Sequence, residues 1–287
     1  MTGTRRKLVP YLLALPAWAW LALFFVTPLA GMLALSLSTG NVVSGFQQAF
    51  AVGNYLDGIT TYGEQITRSL LYGGAATLVC LVLGFPVAYW IAFNGGKHKG
   101  TYLLLILLPF FVSFVLRTIS WRFTLSDNGV VLGTLKSIGV LPSEFSVLNS
   151  APAVVFGLAY NFLPFMVLPI YAVLERMDPR VVEAAYDLYA GRVQAFLRVI
   201  LPMALPGVFA GGLMTFIPTS ADYVNATVLG GTHNTMIGNI IQTQYLVNNA
   251  YPIAAALTFT LMALLLAGIF AYARALGTER VMEVQAK

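Results

Sequence analysis

The composition of this 287-residue chain indicates a membrane protein, because 58% of its residues are hydrophobic and only 9% are charged. A soluble domain carries about 25% charged residues, so most of the surface of this chain is not expected to face water. The net charge of +5 comes from basic residues scattered between apolar segments, which argues against a nucleic-acid-binding surface. A single cysteine, Cys80, excludes a disulfide within the chain.

Six apolar segments are long enough to cross a bilayer, which takes about 20 residues per helix. The first follows a basic start, Arg5-Arg6-Lys7, and is too long for a cleavable signal peptide, whose apolar region has about 7–15 residues. No alternation of period two recurs along the chain, so a transmembrane β-barrel is not expected. The sequence therefore predicts an all-α integral membrane protein with six spans, at about 10–37, 69–93, 101–120, 151–174, 203–229 and 253–276.

The distribution of basic residues predicts the orientation of the spans. Twelve of the sixteen Lys and Arg residues fall in the amino terminus, the 94–100 turn, the 175–202 loop and the carboxyl tail. Positive charge marks the cytoplasmic side, so both termini are expected in the cytoplasm. Short interfacial helices are expected in the two longer outer loops, 38–68 and 121–150, because connections of this length usually carry structure of their own.

The 175–202 loop has the pattern of a short, capped helix. Asp178 can cap its start and Pro179 suits the first helical position, where no N–H is needed. Apolar residues up to Leu188 follow at helical spacing, and Gly191 is expected to end or bend the helix. From these residues alone, the helix is either a contact for a soluble partner or an ordinary interfacial loop helix.

A family resemblance favours the first alternative. Glu183-Ala184-Ala185, followed by Val199-Ile200-Leu201-Pro202, resembles the EAA loop of binding-protein-dependent ABC importer permeases. In that family the loop forms a coupling helix seated on the ATPase subunit, which implies a role in ATPase coupling for Asp178, Pro179, Glu183, Ala184, Ala185, Leu188 and Gly191. The family pattern has glycine where this chain has Tyr189, which predicts a differently shaped end of the loop.

The resemblance implies the type I (MetI-like) permease fold and a location in the bacterial inner membrane. It also implies three kinds of partner: an ATPase dimer that binds ATP and Mg²⁺, a second homologous permease subunit and an extracytoplasmic substrate-binding protein. The implied organisation is an amino-terminal segment (1–64), a permease core (65–277) and a cytoplasmic tail (278–287). The chain itself is expected to hold no cofactor, to contact membrane lipid and to bind no nucleic acid.

Further segments resemble the polyamine branch of this family, whose members import spermidine and putrescine. They are Tyr160-Asn161-Phe162-Leu163-Pro164, Phe216-Ile217-Pro218 and Asn249-Ala250-Tyr251-Pro252. Two alternatives stay open: the same architecture importing ferric iron, thiamine or sulfate, and a secondary transporter or channel.

The candidate substrate pathway is predicted from one acidic residue. Asp222 is the sole carboxylate in or near a span, and Tyr223 and Asn225 follow it. An intramembrane acid usually faces a water-filled path or a partner, and aromatic faces attract ammonium groups, so Tyr160 and Trp121 are added to the set. The alternative is that Asp222 is an interfacial residue, that Tyr160 and Trp121 anchor the helices at the membrane surface, and that Arg117 reaches the headgroups.

The sequence contains no ATP-binding or catalytic motif. The phosphate-binding loop of ATPases is absent, and His98 and His233 are too far apart in the chain to predict a metal site. The chain is therefore expected not to be an enzyme on its own.

Overall fold

The computed structural model describes residues 13–42 and 44–275, most of which are helical. The basic residues Arg5, Arg6 and Lys7 and the predicted tail 278–287 lie outside the described residues. The helices are, in chain order, α1 (Leu13–Ser36), α2 (Gly53–Asn94), α3 (Lys99–Leu107), α4 (Phe114–Thr124), α5 (Val130–Ser137), α6 (Ala151–Glu175), α7 (Pro179–Asp187), α8 (Arg192–Ser220), α9 (Val224–Leu229), α10 (Ile237–Leu246) and α11 (Tyr251–Ala275).

The predicted membrane-spanning architecture is confirmed, with one difference in the third span. Helices α1, α2, α6, α8 and α11 are long and apolar enough to cross a membrane. The third predicted span is a bent pair, in which Gly96–Phe111 and Phe114–Thr124 meet at 87°. Counting this pair as one broken span brings the total among the described residues to six. The chain becomes extended at Val112 (φ −94°, ψ 139°). Pro109 precedes the bend, and its missing N–H removes a helical hydrogen bond there.

The contacts within the chain divide it into two units. One contains the residues up to Gly63 together with Ile241–Met262, and the other contains Glu64–Ile240 together with the residues from Ala263 onward. Helix α2 departs from helical geometry at Tyr62 (φ −114°, ψ 19°), next to the division.

A β-hairpin that the sequence does not predict lies in the first unit, directly before the start of α2. Strands β1 (Ser38–Asn41) and β2 (Gly45–Gln48) pair antiparallel, with Ser38 opposite Gln48. The amide of Asn54 donates to the carbonyls of Ser36 (2.9 Å) and Ser38 (3.0 Å), which ties the hairpin to the start of α2. The segment 38–68 also contains a short helix, the part of α2 from Gly53 to the kink at Tyr62, and the segment 121–150 contains α5, so the short helices predicted in the two longer outer loops are both present.

The second unit is built around the packing of α6 against α8. The apolar side chains of Met166, Val167 and Ile170 are fully buried on α6. Gly207 on α8 faces them so closely that an added Cβ would lie 2.8 Å from the Pro169 carbonyl oxygen. Gly211, one turn later, is nearly as close to Met166. These two glycines, four residues apart, thus allow the two backbones to approach closely.

Candidate functional site

The helix predicted in the 175–202 loop is present and begins where its sequence indicates. Helix α7 starts at Pro179, and the Asp178 carboxylate accepts a hydrogen bond from the Arg180 N–H at 3.0 Å. A proline at the first position needs no donor, and the aspartate satisfies one of the free N–H groups that every helix start leaves. Local sequence alone therefore determines the beginning of the loop helix.

The end of α7 does not follow the prediction. Tyr189 adopts the left-handed conformation (φ 60°) that glycine favours. The Ala190 N–H donates to the Ala185 carbonyl at 3.0 Å and the Tyr189 N–H to the Tyr186 carbonyl at 2.9 Å, which is a Schellman-type helix end. Tyr189 thus adopts a conformation that glycine favours, at the position where the family pattern has glycine.

Gly191 has a different place from the one predicted. It precedes the first residue of α8 in an extended conformation (φ −67°, ψ 162°), and its N–H donates to the side-chain oxygen of Gln194 at 3.2 Å. It therefore starts the next helix, whereas the end of α7 is formed at Leu188 and Tyr189.

The loop helix has an inner and an outer face. Ala185 is buried within the chain, and Val182 packs against the apolar core of the second unit. Glu183 and Ala184 are exposed. The tip of the loop is apolar and unusually open, since Leu188 is 81% exposed and Tyr189 is 97% exposed. Two neighbouring apolar side chains that contact so little of their own chain form a surface suited to a partner.

An ion pair holds the loop to the neighbouring turn. Lys99, at the start of α3, donates to the Glu175 carboxylate at 2.8 Å, at the end of α6. The pair brings the 94–100 turn and the 175–202 loop to the same end of the bundle, as their positive charge predicts.

Two of the predicted pathway residues meet at a cavity. The rings of Trp121 and Tyr160 are 5.1 Å apart in an edge-to-face arrangement. They line an open cavity of about 270 Å³ together with Val112, Arg117, Ser120 and Thr124. Arg117, which is expected from the sequence to reach the headgroups, is only 8% exposed, and its guanidinium carbon lies 4.7 Å from the centre of the Phe110 ring.

The other predicted pathway residues lie elsewhere. Asp222 is buried, and its carboxylate accepts a hydrogen bond from the Asn225 N–H at 2.7 Å, at the start of α9. Tyr223 is partly exposed, and its carbonyl accepts from the Asn239 side chain at 2.9 Å. Neither residue lines the cavity of Trp121 and Tyr160. The predicted pathway set is therefore divided between two places.

A buried polar cluster links three helices beside Asp222. The Asn225 side-chain oxygen accepts from the Asn161 amide at 3.2 Å and from the Thr118 hydroxyl at 3.4 Å, and the Asn161 amide also lies 3.1 Å from the Thr118 oxygen. Sequence reasoning includes Asn225 in the pathway set but leaves out Thr118 and Asn161. The sequence signal that could have identified Thr118 and Asn161 is a polar residue within an otherwise apolar segment.

Comparison with known proteins places this fold and these motifs in a family. No family model matches the chain. The spermidine/putrescine transport system permease protein PotB of Haemophilus influenzae is 33% identical over 259 residues, which cover 90% of this chain and 91% of that protein. PotB of Escherichia coli is 35% identical over 245 residues, which cover 84% and 88%.

Solved structures show the same fold. A bacterial ABC transporter that imports the acidic polysaccharide alginate contains a chain that matches with a TM-score of 0.75 at 18% identity, covering 96% of both chains. The alginate transporter in complex with its alginate-bound periplasmic protein matches with a TM-score of 0.66 at 19% identity, covering 93% of both. With this fold and relatives of 33–35% identity over most of its length, the chain belongs to the PotB family of ABC importer permeases.

Proposed function

We propose that the chain is one of two permease subunits of an ATP-driven importer of spermidine and putrescine in the bacterial inner membrane. The observation that carries this proposal is the 33–35% identity to PotB proteins over 84–90% of the chain. In this proposal, residues 65–277 form the permease core. The two termini lie in the cytoplasm. The short 94–100 turn and the 175–202 loop, joined by the ion pair of Lys99 and Glu175, then lie on the cytoplasmic side.

The 175–202 loop is the proposed contact with the ATPase. Its cap at Asp178 and Pro179 fixes the start of α7, and its Schellman-type end holds Leu188 and Tyr189 outward. Glu183 and Ala184 extend the same exposed surface, whereas Ala185 supports it from the buried face. Closure of an ATPase dimer, which binds the ATP and Mg²⁺, would push on this rigid element and move α6 and α8.

The remaining partners complete the importer. A second homologous permease would form the other half of the pathway, and an extracytoplasmic binding protein would deliver the substrate. The alginate importer, which has the same fold, is known in complex with a periplasmic protein. Cargo selection by such a protein would explain why one permease chain carries little cationic-substrate chemistry of its own.

Asp222 is the proposed contact for an ammonium group in the pathway, with Tyr223 and Asn225 beside it. The substitution Asp222→Asn separates charge from structure, since an asparagine oxygen can still accept from the Asn225 N–H. We expect lower polyamine uptake at unchanged yield of the complex. Uptake equal to that of the unsubstituted protein would remove Asp222 from the pathway.

Reconstituted transport tests the function as a whole. The full complex in vesicles, supplied with ATP inside and binding protein outside, should take up labelled spermidine and putrescine and should ignore ferric ion. Uptake without ATP would contradict the importer, and uptake of ferric ion alone would contradict the cargo.

The ATPase contact has a separate test. We expect Leu188→Asp to weaken retention of the ATPase by about tenfold or more, because a charge at the centre of an apolar contact is strongly unfavourable. Val130→Asp on α5 is the matched control, since Val130 is 82% exposed and Leu188 is 81% exposed. Equal retention by the two variants would show that the tip of the loop does not bind the ATPase.

A further inference from the structure

A buried positive charge without an anionic partner lies in the wall of the cavity beside α4. Among residues 13–42 and 44–275, the Nε and Nη1 atoms of Arg117 are fully buried and have no hydrogen-bond partner. The Phe110 ring covers the guanidinium at 4.7 Å, but a ring attracts the charge without satisfying its N–H groups. The ion pairs formed by the described residues use other cations, namely Arg68 with Glu64, Lys99 with Glu175 and Lys136 with Asp127.

The cavity offers hydrogen-bond donors to a ligand. Arg117 and the Trp121 indole can only donate, and neither Trp121 nor the Tyr160 hydroxyl has a hydrogen-bond partner in the described part of the chain. The Ser120 and Thr124 hydroxyls already donate, each at 2.8 Å, to backbone carbonyls of their own helix. A positively charged cavity with unused donors matches an oxyanion and does not match the ammonium groups of a polyamine, which also only donate.

The surroundings of the cavity favour a phosphate group carried by a lipid. Val112 and Leu116, which both precede Arg117 in the chain, are about half exposed, and Phe123 is 71% exposed, so apolar side chains surround the cavity. Helix α4 ends at Thr124, seven residues after Arg117, which is about 10 Å along a helix. Trp and Tyr, the two aromatic residues that line this cavity, are enriched where the headgroups meet the hydrocarbon core. An acidic side chain would occupy only a small part of about 270 Å³.

We propose that Arg117, Trp121 and Tyr160 form a phosphate-binding site that holds the headgroup of a phospholipid at the bend between α3 and α4. The guanidinium supplies charge-assisted hydrogen bonds to the phosphate oxygens, and the apolar surface around it contacts the acyl chains. The site depends neither on the cargo nor on the ATPase contact proposed above, so it can fail or stand independently of them.

Native mass spectrometry of the delipidated full complex, titrated with dioleoylphosphatidylglycerol, tests the site. We expect Arg117→Gln to weaken the tightest lipid-binding event by about tenfold or more, the effect of removing one charge-assisted pair. Arg122→Gln is the matched control, because Arg122 lies on the same helix but is exposed. It should bind the lipid as the unsubstituted complex does, and dioleoylglycerol, which lacks the phosphate, should show no dependence on Arg117.

A second titration separates the sources of the phosphate. If inorganic phosphate binds in an Arg117-dependent way and the lipid does not, the site stands with a dissolved anion as its ligand. Equal lipid binding by Arg117→Gln and Arg122→Gln overturns the proposal. Loss of another subunit from the Arg117→Gln complex at unchanged lipid binding also overturns it, because the oxyanion is then an acidic side chain of that subunit.

If Arg117→Gln cannot be purified, Arg117→Lys takes its place against Arg122→Lys. Lysine keeps the charge but loses the planar fork of donors, so weaker lipid binding by Arg117→Lys alone supports the site. Equal binding by the two lysine variants overturns it.

Discussion

Tyr189 allows the stability of the loop to be separated from its contact with the ATPase. A non-glycine residue in the left-handed conformation is strained by about 1–2 kcal/mol. The substitution Tyr189→Gly relieves this strain and loses almost no packing, because the side chain is 97% exposed. The greater freedom of glycine in the unfolded chain offsets about 0.4–1 kcal/mol of that gain. The end of α7 should therefore become more stable by about 0.8 kcal/mol, the difference between the midpoints of the two ranges.

The same substitution should weaken ATPase binding. Truncation of an aromatic side chain at the centre of an interface typically removes about 2 kcal/mol or more of binding free energy, which is about thirtyfold in affinity. Tyr189→Ala is the matched variant, since it also loses the ring but keeps the left-handed strain. We therefore expect the two variants to lose ATPase affinity equally and to differ in the stability of the loop.

Two measurements on the purified proteins check this reasoning. Hydrogen exchange at the amides of Leu188, Tyr189 and Ala190 reports the stability of the helix end, because these amides donate its closing bonds. Titration of the complex with the ATPase reports the contact. Faster exchange in Tyr189→Gly than in the unsubstituted protein would refute the strain argument, and unchanged ATPase affinity in both variants would refute the contact.

The remaining predictions concern packing and capping. Gly207→Ala should destabilise the fold by about 1–3 kcal/mol, because the added Cβ would lie 2.8 Å from the Pro169 carbonyl oxygen. Gly74→Ala is the control, since an added Cβ there would have nothing within 4 Å and should not destabilise the fold. Thermal unfolding in detergent compares the two variants, and equal melting temperatures would contradict the close approach. Asp178→Ala should destabilise the start of α7 by about 1 kcal/mol through loss of the cap, seen as faster hydrogen exchange at the Arg180 amide, and unchanged exchange there would show that the cap is unimportant.

The parts of the fold that depend on local chemistry are predictable from the sequence. The start of α7 follows from Asp178 and Pro179, because a cap involves only neighbouring residues. The spans follow from length and hydropathy, but the bend at Val112 does not, because an apolar average is the same for a straight and a bent helix. The hairpin is missed because its strands are only four residues each and carry no alternating pattern.

The candidate site is less predictable because it is assembled from distant residues. Thr118, Asn161 and Asn225 are brought together from three helices, and nothing in one sequence indicates that they meet. Tyr189 shows a different limit of prediction from sequence. The family pattern of glycine identifies the position of a turn, but only the structure shows that a tyrosine accepts the same conformation there.

The predicted pathway residues lie in two places, each beside a buried charged residue: Asp222 in one place and Arg117 in the other. Asp222, the proposed contact for an ammonium group, finds a hydrogen-bond donor in its own chain at the start of α9. Arg117 finds an aromatic face but no acceptor in the described part of the chain. An uncompensated buried charge costs about 3–5 kcal/mol, which a fold of ordinary stability can scarcely sustain without a partner. The unmet charge of Arg117 thus points to an anionic ligand, which is separate from the cationic cargo proposed at Asp222.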